Sequence, residues 1–160
     1  MSNRDPLPLA IACEVRDACL CLHLQRATRV LARAFDEALR PLGLTHGQFS
    51  LLMSLNRAVP ARPAEIAELL AMDRTTLTAA LKPLERRRLV RVTVDTADRR
   101  ARRLALTPAG RALLAAAVPV WRGIHAATAR RLARIDELRA DLAAIAAPEP
   151  PLARRGKAAP

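Results

Sequence analysis

Apolar positions along this chain recur at two different periods. From about Glu14 to Arg40, Leu20, Leu24, Ala27, Leu31, Ala34 and Ala38 recur every three or four residues and form one helical stripe. Pro41 and Gly43 end it. Thr45-x-x-Gln48 is a capping box with Leu44 and Phe49 at the staple positions, so a helix should run from Gly47 to about Arg57. Pro60 breaks the chain, and Pro63 suits the first turn of a short helix to about Ala71. Asp73 caps the next helix, with Met72 and Leu77 as a second staple, to about Arg87. The period then falls to two. Val90-Arg91-Val92-Thr93-Val94 reads as a strand, Asp95 to Arg100 as a polar turn, and the segment ending Leu104-Ala105-Leu106 as the returning strand. Thr107 and Pro108 open a long helix to about Arg130 that Pro119 should kink, and a last helix covers Asp136 to Ala146.

The fold class this predicts is mainly α with a small β-hairpin wing, a winged helix-turn-helix with N- and C-terminal dimerisation helices. Residues 1–13 read as a flexible arm and 14–146 as a single domain. Within it the dimerisation helices occupy about 14–40 and 107–146, around a winged helix-turn-helix at about 45–106. Residues 147–160 read as a disordered basic tail. A chain of 160 residues has no other surface to cover the long end helices, so they are expected to pack on a second copy.

Composition narrows the class. The chain is 51% hydrophobic, which excludes disorder, and its aromatics are Phe35, Phe49 and Trp121 alone, which argues against an all-β fold. The apolar run before Arg16 is too short for a signal-peptide core. The longest one, Ala112 to Trp121, is closed by Arg111 and Arg122 and is too short to span a bilayer. A cytoplasmic protein without a membrane partner is the expectation. Cys13, Cys19 and Cys21 are an odd, clustered set rather than a disulfide framework, and the cytosol would keep them reduced. No glycine-rich phosphate loop, Ser/His/Asp set or metal-ligand pattern occurs, so neither an enzyme nor a cofactor is expected.

Charge points to a polyanion. Of 27 basic residues 25 are arginine, and the net charge is +12. Asp73 to Arg103 contains ten basic and four acidic residues, half of that net charge. On a wheel of the Asp73–Arg87 helix, Leu77, Ala80, Leu81 and Leu84 form a core face. Thr75, Ala79, Lys82 and Arg86 lie opposite, with Arg74, Thr76 and Thr78 beside them in the first turns. Such a helix is slim where it would approach base edges in a major groove and cationic further along, where phosphates lie. The turn Asp98-Arg99-Arg100 gives the hairpin a cationic tip that suits a minor groove, with Asp98 as an orienter of an arginine fork. An ordinary solvated face and a solubilising turn are the plain alternatives.

These segments together resemble the MarR-type winged-helix regulators. The resemblance covers nearly all of residues 20–115 and rests on Leu42-Gly43-Leu44-Thr45-x-x-Gln48-Phe49, Ala64-Glu65-Ile66-Ala67, Asp73-x-Thr75-Thr76-Leu77-Thr78, Leu84-Glu85-x-x-x-Leu89-Val90, Asp98-x-Arg100 and Leu106-Thr107-x-x-Gly110. It implies a homodimer joined through the first and the last two helices. It also implies winged helices on consecutive major grooves of a palindromic operator, and wing insertion by Arg100 braced by Asp98. Two positions depart from the pattern. Arg88 stands where many members have glycine, and Pro83 lies inside the recognition helix.

An effector is the remaining question. In the family's organic-peroxide-sensing branch a reactive cysteine lies early in the first helix, and that spacing falls on Cys21. Local charge favours Cys19 instead, with Arg16 and His23 within helical reach, while Asp17 opposes Cys21. On one continuous helix Cys19 and Cys21 face nearly opposite ways and could not bridge each other. Burial as small hydrophobes is the plain alternative, and a metal shared by Cys19 and His23 is a third, with two ligands at i, i+4 too few to make a site. A second candidate is a pocket for a small anionic aromatic effector lined by His23, Arg26 and His46, with Arg29 nearby. The reading is therefore a homodimeric repressor of transcription, released by an oxidant or a small anionic ligand. A non-specific architectural DNA-binding protein is its rival.

Overall fold

The computed structural model describes residues 7–147. Its elements are α1 (Leu9–Ala18), α2 (Leu20–Leu39), a 3₁₀ turn (Arg40–Leu42), α3 (His46–Ser54), α4 (Pro63–Leu69), α5 (Arg74–Arg86), β1 (Val90–Val94), β2 (Arg102–Leu106), α6 (Pro108–Ala129) and α7 (Ile135–Ala146). The order of helices and hairpin is that of a winged helix-turn-helix. The chain divides into two units, one through Ile124 and one from His125 onward.

The first unit is built on local signals that work as their chemistry demands. The Thr45 hydroxyl accepts the Gln48 amide at 3.2 Å, and the Gln48 side chain accepts the Thr45 amide at 3.2 Å. Leu44 and Phe49, at the staple positions, are both buried. In the core, Leu77, Leu81 and Leu84 of α5 meet Leu51 and Leu52 of α3, Ile66 of α4, and Leu104 and Leu106 of β2. β1 and β2 pair antiparallel from Val90↔Leu106 to Val94↔Arg102, and Ala61 adds an isolated bridge to Leu104. This bridge draws the chain away from α3 after Ser54, short of the expected end at Arg57. α6 is long and apolar enough to cross a bilayer by length and composition alone. Leu114 and Ala117 are instead sunk in the core, and Arg111 and Arg122 sit on the same helix.

Three helix ends share one device. At Gly43, Ala71 and Arg88 the backbone turns left-handed, with φ of 63°, 49° and 57°. At each, two successive amides bond back into the last turn: Gly43 to Arg40 and Leu44 to Leu39, Ala71 to Glu68 and Met72 to Ala67, Arg88 to Glu85 and Leu89 to Leu84. These are Schellman closures, and only the first has the glycine that the geometry favours. The missing glycine at Arg88 thus falls on a residue that holds a strained conformation.

The flexible arm and the single first helix need correction. Helix begins at Leu9, so residues 9–13 are helical rather than a loose arm, because Pro8 sits just outside the first turn, where a proline is tolerated. Residues 1–6 of that arm and 148–160 of the tail lie outside the described residues. The helix is also interrupted at Cys19, which is extended (φ −73°, ψ 105°) between α1 and α2. Arg16 holds the Asp17 carboxylate with two bonds, of 2.6 and 2.8 Å. The His23 ring donates to the Asp17 carbonyl at 3.1 Å, replacing a helical partner.

α1 and α2 bury almost nothing. Leu9 is 79% exposed, Leu20 69% and Val30 50%, and Leu39 is the single buried residue of the two helices. In the second unit, α7 carries Ile135, Leu138, Leu142 and Ile145 along one side and buries none of its residues. Its first turn is held by Arg139 on Asp136 at 2.6 Å and Arg134 on Glu137 at 3.0 Å.

Candidate nucleic-acid interface

α5 presents the expected face. Asp73 caps it, accepting the Thr76 amide at 2.8 Å and the Thr76 hydroxyl at 2.7 Å. The Thr76 hydroxyl and then its amide hold the Asp73 carboxyl below the usual carboxylate range. Leu77, Leu81 and Leu84 are buried and Ala80 is half-buried, while Arg74, Thr75, Thr76, Thr78, Ala79, Lys82 and Arg86 are all exposed. The threonines are not equivalent. Thr76 spends its hydroxyl on the cap, and Thr78 donates to the Arg74 carbonyl at 2.8 Å. Both hydroxyls are therefore already engaged within the helix.

The wing tip is built on two aspartates, one of which the sequence reading did not single out. Asp98 accepts the Arg100 amide at 2.9 Å, and the Ala101 amide bonds the Asp98 carbonyl at 2.9 Å. Asp98 thus braces the main chain of the turn rather than the arginine fork, which corrects the expected contact. Asp95 is 5% exposed. It accepts the Ala97 amide at 2.9 Å and the Arg103 Nε at 2.6 Å, and these two donors, the amide first, hold its carboxyl low. Arg103 reaches on to the Pro60 carbonyl at 3.3 Å. The wing is therefore pinned to the segment before α4 by a paired, buried charge. In sequence Asp95 looked like one more polar turn residue, and its one signal was an acid at the end of a cationic strand pair.

Wing and helix share a groove of about 380 Å³ lined by Arg62, Pro63, Ala64, Arg74, Thr78, Arg100, Ala101 and Arg102. It brings together Arg74, Thr78 and Arg100 from the expected set. Lys82 and Arg86 lie further along α5, and Arg99 is exposed at the tip. Arg62 and Arg102 are additions. Arg62 sits at the N-cap of α4, where a cation opposes the helix dipole and a Ser or Asp would be ordinary. That misfit was the sequence signal for it. Four guanidinium groups beside a slim helix face form a surface suited to a phosphodiester chain.

The sensing candidates fare differently. His23, Arg26 and His46 have separate surroundings. His23 is committed to Asp17, Arg26 is exposed, and the His46 amide donates to Asp36 at 2.6 Å while its ring lies 5.7 Å from Phe35. His23 and Arg26 lie one turn apart on α2, and His46 opens α3. A cavity of about 610 Å³ lies elsewhere, lined by Phe49, Ser50, Met53, Leu69, Leu70, Trp121 and Arg122 among others. Phe49 and Trp121 stack in it at 6.4 Å. Cys19 is half-buried at the helix break, so the helical argument that set it opposite Cys21 does not hold. Its supposed activators, Arg16 and His23, are both engaged with Asp17. Cys21 is exposed, and the Gln25 amide donates to its sulfur at 3.3 Å.

Comparison with known proteins follows the same lines. Residues 44–101 match the family model described as MarR family. The structure of the M. tuberculosis transcriptional regulator MosR in complex with DNA is 40% identical, covers 80% of this chain and 93% of its own, and superposes with a TM-score of 0.75. CouR from Rhodococcus jostii RHA1 bound to p-coumaroyl-CoA is 26% identical, covers 83% of this chain and 95% of its own, with a TM-score of 0.73. The transcriptional repressor NicR of Pseudomonas putida is 37% identical over 81 residues, 51% of each chain, so the match spans about half the length of that curated relative.

Proposed function

The chain belongs to the MarR family, and from that membership we propose that it is a homodimeric, sequence-specific DNA-binding repressor of transcription. The observation that carries this is the shared groove. An exposed, slim helix N-terminus with threonines and an alanine stands beside four arginines, two of them from the wing strand and tip. α5 enters the major groove, with Thr75, Thr76 and Thr78 nearest the bases and Lys82 and Arg86 on phosphates. Arg99 and Arg100 at the wing tip enter the minor groove. The uncovered apolar sides of α1, α2 and α7 supply the dimer contact, which sets two such surfaces on a palindromic operator one helical turn apart. MosR was solved with DNA, and NicR is a repressor.

The effector is a small anionic aromatic compound held in the 610 Å³ cavity. Phe49 and Trp121 stack there as a floor, and Arg122 supplies the counter-charge. CouR, bound to p-coumaroyl-CoA, is a relative that takes an acyl thioester of an aromatic acid. The cavity wall includes Leu69 and Leu70, the last turn before the recognition helix, so occupancy bears on the DNA-reading element. A second reading, oxidation of Cys21, is favoured by the Gln25 amide on its exposed sulfur.

Selection from random duplexes tests the whole reading. A homodimeric repressor enriches a palindrome with half-sites one turn apart and prefers it over random DNA by about 10³-fold or more. An architectural protein retains all sequences alike, with affinity that depends on salt only. Repeating the selection with aromatic acids, and with peroxide on wild type and Cys21→Ser, separates the two effectors. Release by peroxide that persists in Cys21→Ser would remove the thiol reading.

A further inference from the structure

The exposed end of the recognition helix is bonded to a distant part of the chain. Its C-terminal cap residue, Arg87, donates from Nη1 to the Gly43 carbonyl at 2.6 Å, across 44 residues of sequence. That carbonyl belongs to the turn that closes α2. Gly43 is left-handed there, and Leu44 bonds back to Leu39, which is fully buried. A Cβ on Gly43 would lie 3.4 Å from Arg87 Nη2, so the guanidinium packs flat against the glycine. On its other side α2 is tied to α3, where Asp36 accepts the His46 amide at 2.6 Å. One bonded corner therefore joins α2, α3 and the end of α5.

Arg86, one residue earlier, has another fate. It lies about 20° from Thr75 around the helix, whereas Arg87 lies about 120° away. Both arginines are exposed, but Arg86 makes no side-chain hydrogen bond among the described residues. Two adjacent arginines of equal charge thus point to different tasks.

We propose that Arg87 is a positioning residue that fixes the recognition helix to α2 and so sets the distance at which the dimer holds its two readers, without binding a DNA phosphate itself. This rests on the dimeric DNA-binding reading above. If α2 carries the dimer contact, the Arg87–Gly43 bond is the side-chain link between that contact and α5. Losing it leaves the groove chemistry intact but loosens where each reader sits.

The test uses the full chain and the operator duplex that wild type selects, together with duplexes whose half-sites are one base pair closer or further apart. Affinities are measured across a salt series. Arg87→Ala should weaken the selected operator by about tenfold, the range of one charge-assisted hydrogen bond. It should leave the slope of log K against log salt unchanged and narrow the preference for the native spacing. Arg87→Lys, which keeps a donor, should restore part of that preference. Arg86→Ala should lower the slope by about 1.8, about 0.9 for each of the two subunits, and keep the spacing preference. If Arg87→Ala does not fold, Arg87→Gln is read in the same way. A slope that falls by about 1.8, about 0.9 per subunit, with spacing preference intact makes Arg87 a phosphate contact and overturns the proposal, as does an Arg87 variant indistinguishable from wild type. Failure of wild type to select any operator would instead refute the DNA-binding reading beneath it.

Discussion

Gly110 is where a single methyl group should do the most damage. It is the third residue of α6, and helix propensity alone says that alanine there would help by about 1 kcal/mol. The structure says otherwise. A Cβ on Gly110 would lie 2.1 Å from the Leu89 carbonyl oxygen and 3.0 Å from its carbon. That oxygen is not free to retreat, since it accepts the Thr107 amide at 3.0 Å and the Thr107 hydroxyl at 3.2 Å. Thr107 in turn accepts the Gly110 amide at 3.0 Å and donates to Arg88 at 2.7 Å. Relieving the clash takes a shift of about 1 Å and strains both hydrogen bonds, at about 1 kcal/mol each. Overpacking adds about 1–3 kcal/mol. After the propensity gain, Gly110→Ala should cost about 2–4 kcal/mol, or about 5–15 °C in Tm for a chain of this size. Thermal melting followed by circular dichroism, with urea titration beside it, gives the number. Gly47→Ala is the control, because that exposed helical glycine has nothing within 4 Å of its missing Cβ, and the variant should be neutral or more stable. A Gly110→Ala protein that melts with wild type or above it would refute the close approach of α6 to the β1 entrance.

Arg88→Gly should raise stability by about 0.5–1 kcal/mol, because it relieves a left-handed residue at φ 57° and offsets this only partly by backbone entropy; a lower urea midpoint would refute that. Arg100→Ala should weaken the operator and lower the salt slope by about 1.8, about 0.9 per wing, while Asp98→Ala should weaken it with the slope unchanged and Asp98→Asn, which keeps an acceptor for the Arg100 amide, should bind near wild type. Tighter binding by Asp98→Ala would mean that simple charge outweighs the turn. The Asp73 and Asp95 carboxyls are held low in the folded chain, so their contribution is fully present above the unfolded carboxylate range, near pH 4, and is lost as pH falls through their depressed folded values. Tm measured from pH 7 down to 2 should therefore fall below about pH 4, and less steeply in Asp73→Asn, which still caps α5 but cannot titrate; an equal slope in both would remove Asp73 from the acid transition.

What the sequence determined by itself is what neighbours in the chain decide. Thr45 with Gln48, Asp73 with Thr76, Pro63 in a first turn, and the alternation Val90-Val92 against Leu104-Leu106 act over a few residues, and each appeared where the pattern put it. The exposed face of α5 was equally legible, because a helix wheel needs nothing but a helix. Tertiary structure decided the rest, since those features depend on groups far apart in sequence. The break at Cys19, beside which His23 bonds the Asp17 carbonyl, is one that a wheel cannot foresee, and it undid the reasoning about Cys19 and Cys21. Arg62, Arg74, Arg100 and Arg102 come from the start of α4, α5, the wing tip and β2, and they line one groove that no local pattern gathers; the Ala61–Leu104 bridge holds the chain before α4 beside the wing. Gly110 and Arg88 show the same division within single residues. A motif can mark a glycine as required or missing, but only the packed Leu89 carbonyl at one site and a left-handed turn at the other supply the steric reason.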